Sequence, residues 1–292
     1  MGRDAFGDEM KNMEREKPRV HVKDASFIPF GGKSCSLYGD RAGEEPINFE
    51  WDNTDPEPGD ICFFTDTYIT RSNDYKCKTK IALPLESPPL RQKMYDYLVD
   101  HSKDFDVIVT FCQDYLGDNW IYRPHLGSMI RKEDKMLYQK PKFCSMVISD
   151  KAAIPNHAFR HIVANIAMDF GVDILGTGVG KPVRKLDALK EYAMSIVVEA
   201  SSEHGCISEQ LYDCFDTGTI PIYFGPKFTK RDLPICDDWV TRFWNTDDLR
   251  DILSAGYMQI VDRDYTTPAF RYSKVLSCVE DWLWEHEYGL FE

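Results

Sequence analysis

Short apolar runs bounded by turn residues alternate with stretches of helical periodicity over most of this chain. ICFFTD at 61–66 and KIALPLE at 80–86 read as buried strands. Ser87-Pro88-Pro89 then supplies a cap and first turn for a helix running to His101, and DFDVIVTF at 104–111 is the next strand. HVKDASFIPF at 21–30 reads as an earlier strand with its exit, and 35–59, rich in Gly, Pro, Asp and Glu, as loop with short strands. A basic, loop-like stretch at 131–142 interrupts the pattern, which then restarts. FCSMVIS at 143–149 is a strand and Pro155–Asp169 a helix, with Ile162, Val163, Ile166 and Ala167 at helical spacing. GVDILG at 171–176 is a strand, YAMSIVVEA at 192–200 a stronger one, SEQLYDCFDTG at 208–218 a helix stopped by Gly218, and TIPIYFG at 219–225 another strand. A last amphipathic helix is expected at 275–289. Alternating strand and helix imply parallel sheet. The restart implies two Rossmann-like domains facing a cleft, divided as 1–140 (with 1–18 flexible) and 141–272, and a helix at 273–292 packing back on the first.

The composition, 43% hydrophobic and 28% charged over 292 residues, is that of a folded soluble protein. Net charge is −13, so the surface on average repels nucleic acid and anionic membranes. No apolar run has the length of a membrane span. The opening residues lack the apolar core of a secretory signal, and Phe6 stands where a myristoylation motif carries Ser or Thr. Nine cysteines show neither CxxC nor zinc spacing and are expected to be reduced, mostly buried thiols. These features predict a cytoplasmic protein.

The stretch at 192–226 carries the chemistry. A buried strand ends at Glu199, a polar loop follows, and Ser208 caps a helix whose first turn holds Glu209 and Gln210. Free amides at a helix N-terminus attract anions, and the crevice at strand carboxyl ends is where such sheets bind ligands. Glu199 and Glu209 are candidate acceptors for sugar or ribose hydroxyls. The plainer alternatives are a surface Glu at a strand end and a first-turn Glu facing the helix dipole. GTGVGK at 176–181 has a phosphate-loop flavour but fits neither GxxxxGK[ST] nor GxGxxG. His157 and His161, one turn apart, read as a helix-surface pair, Asp247-Asp248 as a solvated turn, and Trp282 and Trp284 as packing. No divalent metal is expected to be required.

Tyr192 to Ile196, Val198-Glu199-Ala200, Cys206-Ile207-Ser208-Glu209-Gln210 and Thr219 to Gly225 together resemble the C-terminal signature of family 10 glycosyltransferases, the α1,3/1,4-fucosyltransferases. Phe143 to Ser149 resembles the family's strand before its first donor helix, and Val172-Asp173 with Gly176-Thr177-Gly178 its Asp/Gly-rich loop. The likeness is specific over 142–226, weaker over 80–141 and absent before. It implies a GT-B-like α/β fold, an acceptor-binding first domain and a nucleotide-sugar-binding second. It further implies inverting transfer from a GDP-fucose-like donor to a glycan hydroxyl, in an enzyme of bacterial or viral type. Glu86, in LESP, falls where the family carries its general base, and Leu83 and Leu85 would desolvate it; a helix-capping role is the alternative. Implied donor residues are Tyr192, Glu199, Cys206, Ser208, Glu209, Gln210, Asn156, Arg160, Gly176, Gly178 and Lys181. The chain departs from the family at Asn156 (Arg), Ala200 (Asn), Cys206 (Tyr) and Gln210 (Lys). Arg160, Lys181, Arg184, Lys185 or Lys227 would then replace the missing cations, or the donor is another UDP- or GDP-linked sugar. A degenerate glycan- or nucleotide-binding protein is the non-enzymatic alternative, and a homo-oligomer is left open.

Overall fold

The computed structural model describes residues 18–25, 49–123, 127–229 and 239–255. Two sheets, parallel throughout, organise them. The first has the order β2-β1-β3-β4-β5-β6, built from β1 (Arg19–Lys23), β2 (Glu50–Asp52), β3 (Ile61–Thr65), β4 (Thr79–Leu83), β5 (Val107–Thr110) and β6 (Trp120–Tyr122). The second has the order β11-β10-β9-β7-β8, from β7 (Lys142–Val147), β8 (Asp173–Leu175), β9 (Tyr192–Val198), β10 (Ile220–Phe224) and β11 (Thr241–Arg242). Five helices accompany them: α1 (Pro88–Asp100), α2 (Pro155–Asp169), α3 (Lys185–Leu189), α4 (Glu209–Thr217) and α5 (Thr246–Ala255). The C-terminal helix expected at 275–289 and the strand exit at 26–30 lie outside the described residues.

Central β9 is buried at every position, as its unbroken apolar run requires of a parallel strand covered on both faces. On one face Met194, Ile196 and Val198 pack with Val163, Ala167 and Leu249 from α2 and α5. On the other, Val197 meets Leu211, Tyr212 and Phe215 of α4. In the first sheet, Phe64, Ile69, Met94, Tyr95 and Leu98 form the core beneath α1, while Val20, Phe63, Ile81 and Val109 fill the opposite face. Gly218 ends α4 in the left-handed region expected of a helix stop, at φ 65°.

Three expectations need correction. Ile162 is 51% exposed, because the stripe of α2 that meets the sheet runs through Val163, Ile166 and Ala167, with Phe159 and Phe170 beside it. Asp247 and Asp248 open α5 instead of forming a free turn; Asn245 Oδ1 accepts from both of their amides, and their charge suits the helix N-terminus. His157 is only 4% exposed, so it is not part of a helix-surface pair.

The two sheets are joined through the loops at their carboxyl ends. Gln113 N–H donates to His204 O at 2.9 Å, and the His204 imidazole lies 3.2 Å from the Asp114 carboxylate. The Ser128 hydroxyl and Met129 N–H both donate to Asp213 Oδ1, and Lys135 pairs with the fully buried Asp216 at 2.9 Å. Gly205, at φ 83°, passes so close to β5 that a Cβ there would sit 2.2 Å from Phe111 O. The six described cysteines are free thiols, all buried except the half-buried Cys77. No helix among the described residues is long and apolar enough to cross a membrane.

Candidate functional site

A cavity of about 450 Å³ opens between the carboxyl ends of the two sheets, where the topology of a parallel α/β protein leaves loops instead of strands. Asp66, Glu86, Ser87, Leu90 and Phe111 line it from the first sheet; Ser149, Lys151, His157, Arg160, Glu199 and the start of α4 line it from the second.

Glu199 follows the last residue of β9 and is 1% exposed. Its Oε1 accepts the Ser208 N–H at 3.1 Å. Burial pushes this carboxyl up to about 7, against the Ser208 contacts, with the nearby Glu209 charge adding to the rise. Ser208 is the N-cap of α4, and its hydroxyl accepts from Gln210 N–H at 3.3 Å. Two of the amides at this helix start are therefore taken by the protein itself. Glu209 and Asp213 both face Lys185, at 2.5 and 3.1 Å. Burial pulls the ammonium down, but the two carboxylates outweigh it and hold Lys185 above its usual range. Burial raises Asp213 despite Lys185. Three acids and one cation make the β9–α4 corner an acidic one.

The β7–α2 corner has the opposite character. The chain leaves β7 for a polar loop, and Pro155 starts α2 with no side-chain cap. Arg160, 7% exposed, donates from Nη2 to Ser149 Oγ at 3.0 Å, while its Nε is buried with no partner among the described residues. His157 Nδ1 is likewise buried without a partner there. Burial lowers the imidazole, and Arg160, Lys151 and His161 lower it further; burial alone lowers Arg160. Buried polar nitrogens left this way are uncommon in folded proteins.

On the first sheet, Asp66 follows β3 at φ 38°, unusual for a residue with a side chain. Its Oδ1 accepts from the amides of Leu85 and Glu86 at 2.9 and 3.1 Å, and the Tyr95 hydroxyl donates to Glu86 O at 3.1 Å. The backbone at Glu86 is thus held from both sides. Burial pushes Asp66 up to about 6; the two amides and Arg91 oppose this, and the Glu86 charge adds to it. Asp66 escaped the sequence reading because only tertiary structure brings it to residues twenty positions on.

Of the expected site residues, Glu86, Glu199, Cys206, Ser208, Glu209, Gln210 and Arg160 all line the cavity. Asn156 instead ties the end of β9 to α2, donating to Glu199 O at 3.1 Å. Tyr192 begins β9, about 20 Å from the cavity end by strand rise, where its hydroxyl donates to Asp173 at 2.9 Å. Gly176, Gly178 and Lys181 form a tight turn outside the cavity lining. Gly176 N–H and O bond the Lys181 backbone, Gly178 N–H bonds Ile148 O, and Lys181 is exposed. A Cβ on Gly176, whose φ is 104°, would lie 2.1 Å from Ile148 O, so close packing explains these glycines. Of the replacement cations, Lys185 is held by carboxylates, Arg184 pairs with Asp187, and Lys227 lies over the Trp244 ring. Lys151 and Arg160 carry the positive corner with the His157 imidazole beside them; Lys151 was missed and His157 was read only as half of a helix-surface pair, since a half-polar helix start gives no signal of burial. No three His, Cys, Asp or Glu side chains among the described residues are grouped to hold a metal ion.

Solved structures share this fold. The chain superposes on an α1,3-fucosyltransferase with GDP-fucose at TM-score 0.58, with 14% identity, covering 97% of this chain and 93% of that one. The GDP-bound α1,3-fucosyltransferase gives 0.54 at 15% identity over 88% and 82%. TarM gives 0.54 at 9% identity over 81% of this chain and 55% of its own. The fold is GT-B-like. No family model and no curated protein match the chain. At these identities the likeness carries the fold, and the site must be argued from its own chemistry.

Proposed function

We propose that this chain is a glycosyltransferase that moves a sugar, with inversion, from a nucleoside-diphosphate donor to a glycan hydroxyl. The observation that carries this reading is the single cavity joining Glu86 on one sheet to a cationic corner and a carboxylate-tipped strand on the other. Residues 1–140 hold the acceptor and 141–272 the donor. The diphosphate lies at the β7–α2 corner, where Arg160, Lys151 and the start of α2 supply positive potential and the His157 imidazole adds a hydrogen-bonding group. It avoids the β9–α4 corner, where Glu199, Glu209 and Asp213 would repel it. Glu199 and Glu209 take donor hydroxyls there. Glu86 accepts the proton of the acceptor hydroxyl as its oxygen bonds to the anomeric carbon. The bond from that carbon to the diphosphate breaks, and the nucleoside diphosphate leaves with the electron pair.

A GDP-fucose-like donor follows from the sequence resemblance. A UDP- or GDP-linked pentose, hexose or other deoxyhexose is the second reading, favoured by the cation set, which differs from the family's at both Asn156 and Gln210. Calorimetry with GDP, UDP and their sugars, paired with donor hydrolysis and transfer assays, tests both. One nucleoside diphosphate binds, and Glu86→Gln lowers turnover about 100-fold or more while leaving donor affinity unchanged. If no nucleoside diphosphate bound the protein, the assignment would fail.

A further inference from the structure

The first-sheet wall of the cavity carries polar groups that the reaction scheme does not use. Ser87 is 8% exposed and lines the cavity, and its hydroxyl is buried without a hydrogen-bond partner among the described residues. It occupies the N-cap position of α1 yet makes no cap bond. A buried, unsatisfied hydroxyl costs stability unless a ligand completes it. Beside it stand the Asp66 and Glu86 carboxyl groups, with Leu90 and Phe111 adjoining.

The helix start here offers few backbone donors. Pro88 and Pro89 occupy the first two positions of α1 and bring no N–H, and the amides of Leu90 and Arg91 are taken by Ser87 O. Asp66 Oδ1 consumes the two amides before the helix. The amides of Leu85, Glu86, Leu90 and Arg91 are all taken, and two carboxyl groups here face one cation, Arg91.

We propose that Asp66, Glu86 and Ser87 form a subsite for an uncharged, polyhydroxylated ligand, with Leu90 and Phe111 as its apolar floor, and that this wall rejects anionic ligands. Resting on the transferase reading, this makes the acceptor a neutral glycan. Hydroxyls satisfy every group present: they donate to the carboxylates and accept from Ser87, while the apolar side chains cover the C–H face of a sugar ring. A sialylated or sulfated glycan would bring a further negative charge against two carboxyl groups, and the one cation near them, Arg91, already faces Asp66.

The test uses the full chain on an array of neutral oligosaccharides and their sialylated and sulfated counterparts, with GDP and UDP binding measured in parallel by calorimetry. The wild type retains neutral glycans at least about tenfold better than their anionic forms. Ser87→Ala, which removes no cap bond, weakens the best-retained neutral glycan about 2- to 10-fold, the loss of one hydrogen bond, at unchanged nucleotide affinity. Asp66→Asn keeps a residue tolerant of the left-handed backbone and lowers the neutral-to-anionic ratio about tenfold, which a purely structural role would not do. Retention of no glycan, equal retention of anionic glycans, or an unchanged ratio in Asp66→Asn overturns the proposal. Failure of GDP and UDP to bind speaks against the transferase reading instead, and glycan retention still decides the subsite.

Discussion

Glu199 is a carboxyl group buried at the end of a strand, and its replacement by Gln should make the protein more stable at alkaline pH while removing donor hydroxyl recognition. In the fold its titration sits near 7, against the ordinary 4.5. Between those values the native state holds a proton that the unfolded chain has released, so stability falls as pH rises through this window. Below 4.5 the group is neutral in both states and costs nothing; above 7 the full penalty applies. At 1.36 kcal/mol per pKa unit, the penalty reaches roughly 3 kcal/mol. Gln is the same shape and keeps an oxygen for the Ser208 amide, so it retains the contact and removes the charge. Urea denaturation of both proteins at about pH 5 and about pH 8 reads the effect as a difference of differences, which cancels every other titrating group. The Gln variant gains roughly 3 kcal/mol relative to wild type on going to the higher pH, and roughly 5 °C or more in Tm. A flat difference between the two proteins, or a variant that is the weaker one at about pH 8, would refute the claim that burial governs this carboxyl.

Other outcomes follow from the same geometry. Arg160→Met lowers affinity for a nucleoside diphosphate about 10- to 100-fold by calorimetry, through loss of a buried charge-assisted contact, whereas Lys181→Ala, outside the cavity lining, leaves it unchanged. Gly176→Ala destabilises by about 2 kcal/mol or more in urea, because its φ of 104° and the Ile148 carbonyl leave no room for a methyl group. Lys185→Met removes the cation facing buried Asp213 and half-buried Glu209 and, with Lys185 itself partly exposed and screened, costs about 1–2 kcal/mol; adding Asp213→Asn recovers part of that loss, which a double-mutant cycle measures.

Most of the sheet was legible in the sequence. β3, β7, β9 and β10 are apolar runs cut off by turn residues, and α2 and α4 declare themselves through Pro155 at one start, Ser208 at another and Gly218 at a stop. These signals are local: each depends on a residue's own backbone preference or on a periodicity within a few positions. The strands that went unseen, β6 and β11, span only two or three residues and are strands because a neighbour pairs with them, and β2 was expected only as one of the short strands within 35–59. Helix α5 was hidden in the same way: its acidic first turn reads as a solvated loop until Leu249 and Leu253 are seen to reach the core.

The site divides along the same line. The sequence determined that a Glu ends β9, that a capped helix follows it, and that another Glu precedes α1, since each is a matter of order along the chain. Only the tertiary structure decided which charges are free to meet a ligand. Lys185 looked available until Asp213 and Glu209 closed on it from a facing helix. Gly176 and Lys181 looked like a phosphate loop until Ile148 filled the space beside them. Asp66 carries no pattern at all and Ser87 reads only as a helix cap; they matter because two parallel sheets bring their loop ends to one cleft, and burial and charge pairing depend on neighbours distant in sequence.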